Sequence, residues 1–487
     1  MTSSVRGNSN DIRLFYGVDW WTVAIYLLLT VFGFFAVFSA SYVEDTDAFF
    51  DFSHEYVKHA VWLGISYTFA LVILLLDRSL WHKWAYIICV VTIFIVLLTF
   101  TPLGKTVNGA RAWLGVGGFT LQPMELAKVG VSLAVARVMS KYGFTVQRLS
   151  DMFKVLVLMA VPMGIAVLQN DTGSGLVFCS FLFMFYREGL DNWICVPMIF
   201  GVALLLLSFL LSPGVLLISL IAIFTFSAGM LMRNRWKLCI RYVAVLFIVS
   251  LLLFLIFGVA LHLVEGFYNV LLYTTVASMV VVLAYAYRAN IRKLYILVLV
   301  FFLSVMALPT SDMVFHHLRE HQQNRIRTFL GQVDDKDLLY NVNQSKIAIG
   351  SGGFWGKGYL EGSQIRYGFV PEKHTDFIFC TIGEEFGWIG VLALFVLLGG
   401  LVLRLMRMGD RQLDTFGRVY CYCVASILFF HCCINIGMTM GVVPVMGIPL
   451  PFISYGGSSL LGFSILVFVA IALDASPTKH SSSLRQW

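Results

Sequence analysis

The sequence predicts an all-α, polytopic transmembrane helix bundle carrying a large extracytoplasmic loop, and three observations predict it. Of 487 residues, 59% are hydrophobic and 13% charged, with a mean hydropathy of +0.84, a balance too apolar and too poor in charge for a water-soluble domain. Apolar runs of about 20 residues, the length that crosses a bilayer, recur almost end to end. Lys and Arg gather in short connections on alternate sides of those runs, the pattern that orients a multi-pass protein.

The first run, Trp20 to Ala40, is too long for a signal-peptide core and has no small-residue cleavage site after it, so it reads as a retained helix in a chain starting near Met1. Hydropathy then places helices near 20–41, 60–76, 80–100, 124–140, 152–169, 173–187, 193–211, 214–232, 238–261, 268–287, 294–309, 376–404, 416–440 and 453–474. The nine cysteines lie in or beside these runs, with Cys421, Cys423, Cys432 and Cys433 on one late span, which argues against a disulfide framework or a zinc ribbon. The net charge of +7 is spread over short loops instead of forming the clustered face that nucleic acid requires.

With Arg6 and Arg13 cytoplasmic, the inner connections carry Arg78 and Lys83; Lys141, Arg148 and Lys154; Arg187; Arg233, Arg235, Lys237 and Arg241; Arg288, Arg292 and Lys293; and Arg404, Arg407, Arg411 and Arg418. The tail adds Lys479 and Arg485 on the same side. The first outer connection is acidic, with Glu44, Asp45, Asp47, Asp51 and Glu55. Both termini are therefore expected inside.

The stretch from Thr310 to Thr375 is 66 residues long, with eight basic and seven acidic groups, and falls outside. A polar segment of that length between helices is functional or disordered. Here apolar anchors (Phe354, Trp355, Tyr359, Tyr367, Phe369) alternate with glycines at 350, 352, 353, 356 and 358, so it reads as a folded lid.

Four segments carry polar groups at the outer surface, where an ionisable side chain in a membrane span is a functional candidate by default. In Asn108 to Leu114 and Leu121 to Lys128, Pro123 opens a helix and Glu125 and Lys128 sit three apart on one face; the bland alternative is a snorkelling Lys128 with Arg111 at headgroup level. Gln169 to Gly175 breaks an apolar stretch, so Asp171 or Thr172 can cap a helix whose free amides would also favour a pyrophosphate. In Val370 to Phe379, capping by Thr375 or Asp376 competes with a functional cluster of Glu372, Lys373, His374 and Asp376. Glu384 and Glu385 fall deeper on other faces and are assigned to internal packing. Pro444 to Ser459 holds three prolines and must be non-helical; its hydroxyls, Ser454 among them, suit sugar or phosphate contacts, and a structural re-entrant turn is the alternative. His317-Leu-Arg-Glu-His321 matches a zinc-protease pattern, but spacing indicates no third ligand, so no metal site is assigned.

Together these segments resemble the SEDS family of peptidoglycan polymerases, its rod-shape members more than its division members. Gln344 to Gly353, Gly356 to Gln364 and Phe369 to Phe379 carry the distinction. The resemblance covers about residues 11 to 187 and 294 to 474. It implies a ten-helix core with about four inserted helices, divided as 1–192, inserted 193–293, core helix 294–309, outer loop 310–375, 376–474 and a cytoplasmic tail 475–487. An even insertion keeps the loop and Asp376 outside.

The resemblance further implies a glycosyltransferase that polymerises lipid II onto a lipid-linked glycan strand at the outer face of the bacterial inner membrane during elongation, working with a class B penicillin-binding protein. Asp376 stands at the essential aspartate. Trp113, Arg111, Glu125, Lys128, Asp171, Lys346, His374 and Ser454 are implied substrate contacts, and a divalent cation is an optional cofactor. The sequence departs from the family at Arg111-Ala112, where the pattern has Arg-Arg, and at Gln169-Asn-Asp171, where it has Gln-Pro-Asp. Asp376 is expected to act as general base, with Arg111 and Lys128 offsetting charge on the departing pyrophosphate. The rivals are a lipid II flippase, weakened by the lack of inverted repeats, and a non-catalytic scaffold.

Overall fold

The computed structural model describes residues 17–42, 54–107, 109–116, 119–191, 204, 207, 212–232, 236–260, 266–317, 323 and 336–475. In chain order the helices are α1 (Trp20–Ser41), α2 (Glu55–Leu75), α3 (Arg78–Leu97), α4 (Pro123–Met139), α5 (Leu149–Leu168), α6 (Thr172–Leu176), α7 (Phe181–Arg187), α8 (Pro213–Leu231), α9 (Trp236–Leu253), α10 (Phe267–Arg288) and α11 (Arg292–His317). After them come α12 (Lys336–Ser351), α13 (Ser363–Arg366), α14 (Ile378–Arg411), α15 (Thr415–Thr439) and α16 (Gly457–Asp474).

Among the described residues ten helices are long and apolar enough to cross a membrane, so this is a multi-pass helical membrane protein. Some runs differ from their hydropathy reading. The stretch 173–187 is not one helix but α6, a 3₁₀ turn (Val177–Ser180) and α7. The last helix starts at Gly457, because the proline- and glycine-rich stretch before it stays non-helical. The run 193–211, the acidic residues 44–51 and the side chains of the His317 to His321 motif lie outside the described residues.

Among the described residues a small sheet is the one addition to the all-α expectation. Strands β1 (Gly104–Val107), β2 (Ala110–Val116) and β3 (Phe119–Leu121) pair antiparallel in sequence order, with Lys105 opposite Trp113. The signal was present: Asn108-Gly109 between short β-prone stretches is a strong hairpin dipeptide, and Gly109 takes φ +80°.

The chain divides into two compact units, Met1–Leu190 with Lys336–Trp487, and Asp191–Asp335. In the second, α8 to α11 enclose their own apolar core, in which Phe224 stacks on Phe301 at 4.3 Å and Leu217, Leu271 and Val305 are buried. The helix α11, which the sequence reading placed in the ten-helix core, contributes Leu294, Val298 and Leu308 to this second core.

In the first unit, α4 is buried along most of its length, and α3 and α15 pack against it. Its side chains include Glu125, Lys128 and Ser132, all buried. The long helix α14 is interrupted at Gly387, whose φ of 61° and ψ of −157° suit glycine alone. A Cβ there would lie 2.3 Å from the Gly356 nitrogen, so the kink is where the 352–365 loop docks. Beside it, Glu384 is fully buried and binds Lys357 Nζ at 2.6 Å and the amides of Gln364 and Ile365 at 3.0 and 3.1 Å. A buried carboxylate needs such partners, and their positions pin the loop to α14. At the opposite end, Asp19 caps α1 and pairs with Arg404 and, at 3.1 Å, with Arg411, which also binds Asp474. This clasp joins the start of α1 to the ends of α14 and α16.

Candidate active site

Asp376 lies in the turns just before α14, not in its cap. The cap position is Phe377, and it has no side-chain cap. Asn435 of α15 donates through Nδ2 to the Asp376 carbonyl at 3.0 Å and to the Ile448 carbonyl at 2.8 Å. One amide thus holds the segment 370–379 against the segment 444–459. The Asp376 carboxylate sits over Gly447, where a Cβ would lie 3.6 Å from Oδ2. The same two segments meet again where the Tyr455 amide donates to the His374 carbonyl at 2.8 Å, with the two rings 5.8 Å apart.

One turn back on α15 is His431. Its Nε2 lies 2.8 Å from Lys128 Nζ, and its Nδ1 lies 3.1 Å from the Pro449 carbonyl. Lys128 also binds Glu125 Oε1 at 2.7 Å and lies 5.3 Å from the centre of the Phe463 ring. An ammonium has no acceptor lone pair, so His431 must present a bare Nε2 to it and carry its proton on Nδ1, facing Pro449. All three side chains are buried, and Glu125 Oε2 has no partner.

The remaining segments close around this centre. Gln122 donates to Asp171 Oδ2 at 2.6 Å and to Ser174 Oγ at 3.1 Å. Asp171 caps α6 through the Ser174 amide at 3.3 Å, as the capping reading expected. With five residues, α6 presents too short a dipole for an anion site of its own. Gly173 lies against the Met446 carbonyl, where a Cβ would come within 2.5 Å. Gln169 binds Thr99 Oγ1 at 2.6 Å and accepts the Arg111 amide at 2.9 Å, which fixes the hairpin to this turn.

The sequence-selected residues therefore divide. Glu125 and Lys128 join His431, Asp171 joins Gln122, and the carbonyls of Asp376 and His374 are bound by Asn435 and the Tyr455 amide; His431, Asn435 and Tyr455 tie these separate groups to the 444–459 segment. Arg111 and Trp113 stand on β2; Arg111 is exposed and donates to the Thr101 carbonyl at 3.0 Å. Lys346 is exposed on α12 with its side chain across Gly441. The Ser454 hydroxyl accepts the Leu450 amide at 2.8 Å, a turn-closing bond. Among the described residues no three His, Cys, Asp or Glu converge to hold a metal ion. The sequence reading missed His431 and Asn435, although polar residues one turn apart in an apolar run carry the same warning as Lys128.

A family model decides what this arrangement belongs to: the cell cycle protein model FtsW/RodA/SpoVE matches residues 19–224 and 218–479. The chain belongs to the FtsW/RodA/SpoVE family. Among similar proteins, the peptidoglycan glycosyltransferase RodA of Treponema pallidum is 29% identical over 432 residues, 87% of this chain and 90% of its own length. The peptidoglycan glycosyltransferase MrdB of Escherichia coli K12 is 30% identical over 395 residues, 80% of this chain and 77% of its own. This FtsW/RodA/SpoVE member also shares its fold with a solved peptidoglycan synthase complex described as coordinating polymerization and crosslinking (TM-score 0.59, 20% identity, covering 94% of this chain and 97% of the other). The Thermus thermophilus rod shape determining protein RodA aligns with a TM-score of 0.53, 20% identity and coverage of 94% and 96%.

Proposed function

We propose that the chain is a peptidoglycan glycosyltransferase of cell elongation, which polymerises lipid II into glycan strands at the outer face of the bacterial inner membrane. The observation that carries this reading is Asp376 at the junction of the 370–379 and 444–459 segments, the second of which is also bound by His431 of the buried Lys128–Glu125–His431 cluster. The names of the relatives support the reaction class. A transpeptidase of the class B penicillin-binding type is the proposed partner, in line with a fold neighbour that joins polymerization to crosslinking.

In the reaction, Asp376 takes the proton from the GlcNAc 4-hydroxyl of an incoming lipid II. The oxygen bonds to C1 of the lipid-linked MurNAc at the end of the growing strand, and the C1–oxygen bond to the pyrophosphate breaks. General-base assistance of this kind is worth about 10² to 10⁴ in rate. Arg111, exposed on β2, can meet the pyrophosphate directly. Lys128, buried and paired, acts through its field in a low-dielectric surrounding.

Purified protein supplied with lipid II should form polymer, and Asp376→Asn should fold normally and form none. Polymer from that variant at the wild-type rate would remove the proposed base.

A further inference from the structure

Beside the segment that carries Asp376, the 359–373 stretch, the end of α1 and Glu385 of α14 line a cavity of about 630 Å³ that does not include Asp376 itself. We propose that this cavity is a glycan-holding subsite that retains the growing strand between additions. The proposal rests on the glycosyltransferase reading above and extends it.

The lining selects the class of occupant. Two cations, Arg366 and Lys373, and two carboxylates, Glu361 and Glu385, line the same cavity. An ion of either sign would meet as much repulsion as attraction there. The uncharged, hydroxyl-rich sugar backbone of a glycan strand instead finds both donors and acceptors there, which is what sugar hydroxyls use. Tyr359 and Tyr367 add apolar ring faces, on which the C–H face of a pyranose can lie while the polar edge meets the charged groups. The volume falls in the range of small-ligand sites, about 300–1,000 Å³, enough for a short stretch of sugar rings.

The site is built, not a surface accident. Glu385 is 2% exposed; its Oε1 binds Ser39 and, at 3.3 Å, the Leu360 amide, while Oε2 has no partner. Leu360 takes a φ of 66°, unfavourable for a branched side chain. The carboxylate therefore holds a strained turn that forms one wall. The Tyr359 hydroxyl donates to the Phe35 carbonyl at 3.2 Å, fixing the ring. Lys373 donates to the Ile365 carbonyl and stands three residues before Asp376, so a strand lying here is tethered close to the reacting centre. Tethering raises the local concentration of the strand end and favours another addition over release.

The test has two arms on the full-length protein in detergent. In the first, an uncharged tetramer of N-acetylglucosamine is titrated against wild type, Tyr367→Ala, Glu361→Gln and Asp376→Asn. Wild type and Asp376→Asn should bind alike, and the two cavity variants should bind about 10-fold more weakly, the size of one lost aromatic or charge-assisted contact. In the second, strands made from lipid II are sized, and both cavity variants should give shorter strands than wild type. Equal tetramer binding by wild type and both cavity variants overturns the proposal, as does an unchanged strand length. Should wild type bind the tetramer but form no polymer, the polymerase reading fails while the sugar site stands.

Discussion

His431 Nε2 and Lys128 Nζ, 303 positions apart in sequence, lie 2.8 Å apart in the buried centre of the first unit. The histidine can serve the ammonium only as an acceptor, so its other nitrogen must donate to Pro449. A single side chain thus couples the charge on α4 to the non-helical segment that faces Asp376. His431→Gln can keep both bonds, one through its carbonyl and one through its amide. His431→Leu keeps the volume but leaves two buried polar groups without it, at about 1–3 kcal/mol each. Lipid II polymerisation should fall by at least about 10-fold more in the leucine variant than in the glutamine variant. Equal activity in the two would show that the hydrogen bonds are irrelevant to the reaction.

The Glu125–Lys128 pair makes a second prediction. Both groups are at most 1% exposed, so Glu125→Leu strands a buried cation and should cost about 3–5 kcal/mol. Glu125→Leu combined with Lys128→Met removes both charges and should recover most of the thermal stability without recovering polymerisation. A double variant as unstable as the single one would contradict the pairing.

Gly173 tests the packing between the second and fourth segments. Gly173→Ala places a methyl 2.5 Å from the Met446 carbonyl and 3.3 Å from Ile448, and overpacking of this kind costs about 1–3 kcal/mol. Melting temperature and activity should fall together. Gly64→Ala, where the added methyl meets nothing within 4 Å, is the neutral control.

The clasp at the opposite end predicts a pH dependence. Burial works to raise the Asp19 pKa, but the Arg404 hydrogen bond, the Thr22 amide and the charges of Arg404 and Arg411 outweigh it and hold the carboxyl below its usual value. A depressed carboxyl stabilises the fold above its unfolded pKa and loses that contribution as pH falls through the folded value. Thermal stability from this clasp should therefore hold down to about pH 4 and decline below it. Asp19→Asn should be less stable than wild type at pH 7, with the gap closing in acid; a gap that stays constant with pH would rule out the charge pairing as its source.

Much of the molecule follows from local chemistry and is legible in the chain alone. Helix-length apolar runs, Lys and Arg placement and the break at Pro444 to Ser459 arise because a bilayer leaves each backbone segment few options. Asp171 as a cap could be read from its neighbours, and the hairpin at Asn108-Gly109 carried a local signal that hydropathy overrode. The splitting of 172–187 was hidden, because an apolar run is equally apolar as one helix or two short ones.

What no local pattern encodes is which distant polar groups share a desolvated space. His431 and Asn435 look like isolated residues in an apolar span, and Glu384 and Glu385 like a simple acidic pair, until folding brings Lys128, the Asp376 carbonyl and the 357–365 loop against them. Hydrophobic periodicity records that a face is buried but not against what. Each buried charge needs a particular partner, and only the packing of α4, α14 and α15 with the 357–365 loop supplied it.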